Sequence, residues 1–198
     1  MNRLAMDDVA VRGLQDSDAV YLLRWLNDPR VLEFYEGRDR PFTLEMIQEH
    51  FYEDPGCRRC LVEYQGRPAG YVQYYLLEED GFSEYGLPPE KGSVYGMDQF
   101  IGEPELWGKG IGRAFIGLML RYLTGELGAA AVVLDPHTDN LRAVRCYEAC
   151  GFRKWKLLPG HELHEGKKRD CWLMEYRPRA LKNLEKACGK LKEPELLA

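Results

Sequence analysis

Trp107-Gly108-Lys109-Gly110-Ile111-Gly112 is the most informative stretch of this 198-residue sequence. It stands between a strand-like run over residues 93–101 and a run over residues 110–127 whose apolar side chains recur at helical spacing. Glycines adopt backbone conformations that other residues avoid, and they let main-chain N–H groups come close to a ligand. The unpaired N–H groups at the start of a helix favour an anion, so the stretch predicts a pyrophosphate-binding turn.

A plain glycine-rich helix start is the alternative interpretation of this turn. Its spacing matches neither the GxxxxGK(S/T) nucleotide loop nor the GxGxxG dinucleotide fingerprint. The turn by itself therefore indicates an anionic cofactor without identifying it.

The rest of the sequence alternates between strand and helix patterns. Strands are predicted over residues 9–14, 59–64, 69–77, 93–101, 129–134, 152–158 and 170–177. Helices are predicted to start at Asp16 or Ser17 and at Thr43, and to cover residues 110–127 and 140–150. The order β-α-α-β-β-β-α-β-α-β-β predicts one α/β (α+β) domain over residues 1–177, followed by a short helical tail over 178–198. A helix joins the strands over 93–101 and 129–134, so these two strands are expected to lie parallel.

Composition and charge restrict the class of protein. The net charge of −5 argues weakly against nucleic acid as a partner and permits a cationic small molecule. No apolar run approaches the roughly 18 residues that a membrane span needs, and the N-terminal residues have no apolar core of the signal-peptide kind. The six cysteines form no dense framework, and Cys57 and Cys60 lack the second pair that a closed zinc site needs. We therefore expect a cytoplasmic protein with reduced thiols and no membrane partner.

A second pattern places the glycine turn in the context of a family. The turn is followed by a helix, a strand and then Asn140-Leu141-Arg142-Ala143-Val144-Arg145-Cys146-Tyr147-Glu148-Ala149-Cys150-Gly151-Phe152. This arrangement resembles the GCN5-related N-acetyltransferase (GNAT) superfamily. The turn of that superfamily usually begins with Gln or Arg, whereas Trp107 stands here. The change removes one side chain and leaves the backbone cradle in place.

Further stretches narrow the resemblance to one group within the superfamily. Several are similar to the aminoglycoside 6'-N-acetyltransferases, especially the acetyltransferase half of the bifunctional aminoglycoside-modifying enzyme; they are residues 31–35, 94–104, 134–137, 161–168 and 173–176. The resemblance covers about residues 9–177 and includes no kinase half, so no phosphotransferase activity is expected. It implies the GNAT fold, a single domain whose central mixed, mostly antiparallel sheet is splayed between strands 4 and 5 and flanked by helices.

The resemblance also implies a reaction and roles for individual residues. The acetyl group of acetyl-CoA would pass to the 6'-amine of an aminoglycoside by direct attack in a ternary complex, conferring resistance. Asp98 would contact the amine and accept its proton, and Tyr147 would act as general acid towards the leaving thiolate. An Asp that merely ends a strand and a Tyr that merely packs are the alternatives. The residues implied to bind the coenzyme are Gln99, Phe100, Ile101, Trp107, Gly108, Lys109, Gly110, Ile111, Gly112, Arg113, Asn140 and Ala143.

The acceptor site is expected to be acidic, because aminoglycosides carry several ammonium groups. The predicted substrate-binding residues are Tyr35, Glu79, Asp80, Tyr95, Asp98 and Asp135. The further carboxylate candidates are Glu78, Glu84, Glu162 and Glu165. Several of these acidic residues belong to a long polar loop predicted over 78–92. A solvated surface charge is an equally good interpretation for any single carboxylate of this loop.

No metal is expected to take part in the reaction. His161 and His164 flank Glu162, but the sequence offers no third ligand beside them, and the family needs no metal. Two other functions remain open: acetylation of another polyamine, a siderophore precursor or a protein amino group, and a non-enzymatic coenzyme-binding module. The sequence leaves open whether the chain is a monomer or a homodimer.

Overall fold

The computed structural model describes residues 3–53, 55–87 and 92–178. The strands are β1 (Leu4–Met6), β2 (Val9–Gly13), β3 (Arg58–Tyr64), β4 (Arg67–Leu76), β5 (Val94–Ile101), β6 (Ala131–Leu134), β7 (Arg153–His164) and β8 (Lys167–Tyr176). The α-helices are α1 (Ala19–Trp25), α2 (Pro29–Leu32), α3 (Leu44–Gln48), α4 (Glu79–Glu84), α5 (Ile111–Arg121) and α6 (Leu141–Ala149). The predicted helical tail over 178–198 lies, apart from Pro178, outside the described residues. None of the described helices combines the length and the apolar character needed to cross a bilayer.

All eight strands form one mixed sheet in the order β1-β2-β3-β4-β5-β6-β8-β7. Every neighbouring pair is antiparallel except β5 and β6, which are parallel as the intervening helix predicted. The pairing of β5 with β6 stops at Gly96 and Val133, whereas β4 continues to pair with β5 as far as Ile101. The sheet is therefore splayed at this point, and β5 beyond Gly96 has no strand partner on its β6 side. The predicted GNAT architecture is confirmed.

The two faces of β5 contribute to different core clusters. Met97 packs with Phe115 and Met119 of α5 on one face. Phe100, of opposite parity along the strand, packs with Trp25 of α1 and its neighbours on the other face. The apolar residues of α5 recur at helical spacing because one side of the helix lies on the sheet.

Four elements differ from the sequence prediction. Helix α2 is additional; Pro29 starts it and the side chain of Asp28 caps it. Strand β1 is additional; its three residues pair with β2 and are too few to produce a recognisable alternation. Helix α4 occupies the first part of the predicted loop over 78–92. Residues 159–169, which lie between the last two predicted strands, are instead part of a continuous β7–β8 hairpin, closed by Glu165 and Gly166 with φ of 51° and 70°. Two consecutive residues with positive φ form the turn that suits a tight hairpin.

Candidate active site

The glycine turn precedes α5 and leaves its first N–H groups open. Gly108 and Gly110 have φ of 75° and 82°, and Gly110 is the N-cap of α5. A Cβ built at either glycine would meet nothing within 4 Å. The glycines are therefore required by the backbone conformation, and the space in front of the helix start is free to take an anion.

Trp107 fixes this turn in a way that the usual Gln or Arg would not. Its Nε1 donates to the carbonyl oxygen of Ile101 at 2.9 Å. The guanidinium of Arg142 lies over the indole ring, 3.6 Å from its centroid. The indole thus ties the turn both to the end of β5 and to α6, and it replaces the missing polar side chain with packing.

A cavity of about 380 Å³, the glycine-turn cavity, runs from this turn along β5 to α6. It is lined by every residue implied to bind the coenzyme except Lys109, and also by Tyr147 and Arg142. Lys109 is exposed and does not line this cavity, so its contact with the coenzyme stays a prediction. Asn140 reaches the cavity wall, but its side-chain oxygen accepts from the N–H of Ala143 and so also caps α6.

The splayed region has a buried acceptor that a ligand would satisfy. Nε2 of Gln99 donates to the hydroxyl of Tyr147 at 2.6 Å. Oε1 of the same side chain is buried without a hydrogen-bond partner, which is costly in a protein interior. This oxygen could accept a hydrogen bond from a pantetheine amide, and the open cradle at Gly108 and Gly110 fits a pyrophosphate. Coenzyme A presents both groups.

A second cavity of about 490 Å³, the acidic cavity, adjoins the first. Its carboxylates are Glu36, Glu84, Asp98, Asp135 and Glu162, and they outnumber the cationic Arg40 and the two histidines beside them. The two cavities share Gln99 and Tyr147 in their walls. A ligand in each would therefore meet at the splayed end of β5.

Asp98 is the carboxylate at this junction. Burial raises its pKa to about 7, and the negative charges of Asp135 and Glu36 act in the same direction. A hydrogen bond of 2.8 Å from Nε2 of Gln73, its partner on β4, opposes the rise only in part. A carboxylate with a pKa near neutrality is a far better proton acceptor than an ordinary one.

Tyr147 enters the junction from α6. Burial raises the pKa of its phenol well above the usual value, so the hydroxyl keeps its proton near neutral pH. Because the oxygen accepts from Gln99, its own proton is available to another acceptor. The geometry suits a general acid.

Asp135 and Tyr35 also lie where the sequence predicted. Asp135 follows β6, and its carboxylate is 3.1 Å from Nε2 of His161. This hydrogen bond, with help from the nearby Glu84, raises the pKa of His161. The ring of Tyr35 packs on Phe100 at 4.7 Å between centroids and lines both cavities.

Three predicted substrate contacts are not brought to the acidic cavity. Glu79 and Asp80 are exposed in the first turn of α4 and line neither cavity; this helix instead brings its last residue, Glu84, to the wall. Tyr95 has the opposite parity to Asp98 on β5, so it packs with Tyr74 on the other face of the sheet. The position of Tyr95 disagrees with its predicted contact, whereas contacts of Glu79 and Asp80 with the substrate stay predictions.

Other residues of the acidic cavity were missed in the sequence. Glu36, Gln73 and Tyr75 line it, although no motif marks them, and His137 lines it as the last residue of the family stretch over 134–137. Gln73 and Tyr75 lie on the same face of the sheet as Asp98. The register of β4 against β5 would have revealed this, but that register cannot be read from the sequence.

Comparison with known proteins agrees with this architecture. Residues 15–159 match the family model described as Acetyltransferase (GNAT) domain. The chain belongs to the GNAT acetyltransferases.

Individual relatives narrow the comparison. Aminoglycoside N(6')-acetyltransferase type 1 of Klebsiella pneumoniae is 30% identical over 154 residues, which are 75% of this chain and 75% of that protein. The solved structure of aminoglycoside acetyltransferase AAC(6')-Ib with coenzyme A has a TM-score of 0.73 at 25% identity and covers 89% of this chain and 99% of that one. A structure of the same enzyme with coenzyme A and kanamycin has a TM-score of 0.72 at 25% identity, with the same coverage. The predicted resemblance to the aminoglycoside 6'-N-acetyltransferases is confirmed.

Proposed function

We propose that this protein transfers the acetyl group of acetyl-CoA to the 6'-amine of aminoglycoside antibiotics and thereby confers resistance to them. The observation that carries the proposal is the meeting of the glycine-turn cavity and the acidic cavity at Asp98, Gln99 and Tyr147. The similar enzyme AAC(6')-Ib has been solved with coenzyme A and kanamycin together, which supports the same pair of ligands here.

The glycine-turn cavity is the proposed coenzyme site, and coenzyme A supplies the acetyl thioester when bound. The main-chain N–H groups around Gly110 would hold the pyrophosphate. The unpaired edge of β5 over residues 99–101 would bind the pantetheine arm as a substitute for a strand, and Oε1 of Gln99 would accept from an amide. A main-chain N–H of this edge would stabilise the charge that develops on the acetyl oxygen.

The acidic cavity is the proposed acceptor site. Its five carboxylates attract a molecule with several ammonium groups. Asp135, held by His161, and Glu84 would bind ammonium groups away from the reacting one. The ring of Tyr35 would cover a sugar.

The proposed chemistry needs only two side chains of the chain. Asp98 accepts a proton from the 6'-ammonium, and the neutral amine attacks the acetyl carbon directly while both ligands are bound. Tyr147 donates its phenolic proton to the leaving sulfur, and the second proton that the nitrogen loses on becoming an amide returns to the Tyr147 phenolate. Holding both ligands in attacking geometry is the larger contribution, of order 7–11 kcal/mol at best.

The product identifies the reaction. Purified protein, acetyl-CoA and kanamycin should yield free thiol and a monoacetylated kanamycin whose new amide is located at the 6' nitrogen by NMR. An acetyl group on another nitrogen would contradict the assigned position, and absence of thiol release would contradict the aminoglycoside assignment.

We place the reaction in the cytoplasm, where acetyl-CoA is available. The reduced thiols of Cys60, Cys146, Cys150 and Cys171 support this location, since reduced cysteines are typical of that compartment.

A further inference from the structure

Three potential metal ligands meet in the wall of the acidic cavity. His137 follows β6 and forms an isolated bridge with Cys171 of β8. Glu162 and His164 lie two residues apart near the end of β7 and therefore share a face of the strand. One ligand atom of each residue lies within 4.8 Å of the other two.

The distances between these ligand atoms approach the distances between the ligand atoms around a coordinated zinc ion. Nε2 of His137 is 2.7 Å from one carboxylate oxygen of Glu162, and Nδ1 of His164 is 3.5 Å from the other. A tetrahedral Zn²⁺ with ligand bonds near 2 Å separates its ligand atoms by about 3.3 Å. Two imidazoles and one carboxylate are a donor set that Zn²⁺ prefers, and small side-chain shifts would bring all three atoms to bonding distance.

His164 provides an independent indication of a ligand. Its side chain is 1% exposed, and its Nε2 lies 3.0 Å from the carbonyl oxygen of Glu33. A carbonyl can only accept, so Nε2 carries a proton, and Nδ1 is the nitrogen that faces Glu162. Nδ1 is buried and has no hydrogen-bond partner within 3.5 Å and in good geometry among the described residues. A backbone carbonyl that fixes the outer nitrogen of a histidine in this way is typical of metal-binding histidines.

We propose that His137, Glu162 and His164 bind a divalent transition metal ion of the Zn²⁺ class, with the fourth coordination position open to the acidic cavity. The acetyl transfer proposed above does not use this ion, so the expectation that the reaction needs no metal is unaffected. In the sequence, His161 and His164 flank Glu162 without a third histidine nearby. In the structure His161 pairs with Asp135, and His137 is the second histidine of the cluster. The ion would join β7 to the segment after β6 and so stabilise the folded chain.

The test measures binding of Zn²⁺ alone to the full-length, chelator-treated protein without acetyl-CoA. Isothermal titration calorimetry should give one equivalent of bound Zn²⁺, and saturating Zn²⁺ should raise the unfolding temperature. Glu162→Gln and His137→Gln should each weaken binding by about tenfold or more, because each removes a ligand. The matched control is His50→Gln, which changes an exposed histidine on a different part of the chain and should leave binding unchanged.

Two further measurements keep the test decisive. Coenzyme A binding by each variant confirms that it is folded, because the three ligands do not line the glycine-turn cavity. Co²⁺ as a spectroscopic probe distinguishes imidazole from thiolate ligands, since thiolate gives an intense charge-transfer absorption. The proposal is overturned if the wild-type chain shows no saturable Zn²⁺ binding, if Co²⁺ binding shows that absorption, or if both ligand variants bind Zn²⁺ as the control does. Failure of acetyl transfer would not affect any of these readouts.

Discussion

At the scale of single residues, Asp98 has a property that serves catalysis and weakens the fold. Burial and the charges of Asp135 and Glu36 raise its pKa from 3.8 to about 7. The same environment makes the ionised carboxylate expensive to hold in the native state. Activity and stability should therefore respond in opposite directions when this charge is removed.

The activity prediction concerns the pH profile. The proton acceptor must be ionised, so kcat/KM for kanamycin should fall as pH drops through about 7, with the slope of a single group. Asp98→Asn should lower kcat/KM by roughly 10²–10⁴-fold and remove this acidic limb, while the Kd for coenzyme A stays unchanged. A variant that keeps the limb would show that another group titrates.

The stability prediction follows from linkage. Because the folded-state pKa is raised, the native state binds the proton more tightly, and the associated stability is lost as pH rises from about 4 to 7. Asn is neutral throughout, so Asp98→Asn should raise Tm relative to wild type by more at pH 8 than at pH 5. Thermal unfolding monitored by circular dichroism at both values measures this; an equal change at the two pH values would contradict it.

Tyr147 gives a prediction that separates an acid from a packing residue. Tyr147→Phe keeps the ring against Phe152 and removes only the hydroxyl that Gln99 contacts. Loss of the proton donor should lower kcat by about tenfold to a thousandfold with little change in the KM for kanamycin. An unchanged kcat would leave the residue with a packing role alone.

At the scale of elements, the start of α5 determines coenzyme binding. Gly110 has φ of 82°, and a side chain in this region costs about 1–2 kcal/mol. Gly110→Ala should therefore weaken coenzyme A binding by distorting the N–H groups of the cradle, as measured by calorimetry. The matched control is Gly125→Ala, whose Cβ would also meet nothing within 4 Å but whose backbone lacks the positive φ. Similar affinities in the two variants would contradict a role for the turn conformation.

Elements with strong periodicity were predictable, and those defined by pairing were not. The apolar spacing of α5 and the Asn140 cap of α6 are local signals, and the structure has both. Residues 159–169 of the β7–β8 hairpin were not predicted as strand, because many of them face a polar cavity or solvent rather than a core. Alternation of apolar and polar residues disappears when neither face of a strand is strongly apolar.

At the scale of the whole molecule, the fold brings together residues that are distant in sequence. Asp98, Gln99 and Tyr147 were predictable as a group because they stand in motifs of the family. Gln73 stands in no such motif, and strand register decides its neighbours; His137 ends the family stretch over 134–137, but only the fold shows that it lies beside β8. Tyr95, predicted at the substrate, lies on the other face because one position along a strand reverses the direction of a side chain.

The central claim is that the junction of the two cavities acetylates a 6'-amine. Neomycin and paromomycin test it most directly, because they differ only in carrying an amine or a hydroxyl at the 6' position. With acetyl-CoA present, thiol release should be rapid with neomycin and remain at the background rate with paromomycin. Equal rates with the two antibiotics, or no release with neomycin, would contradict the account.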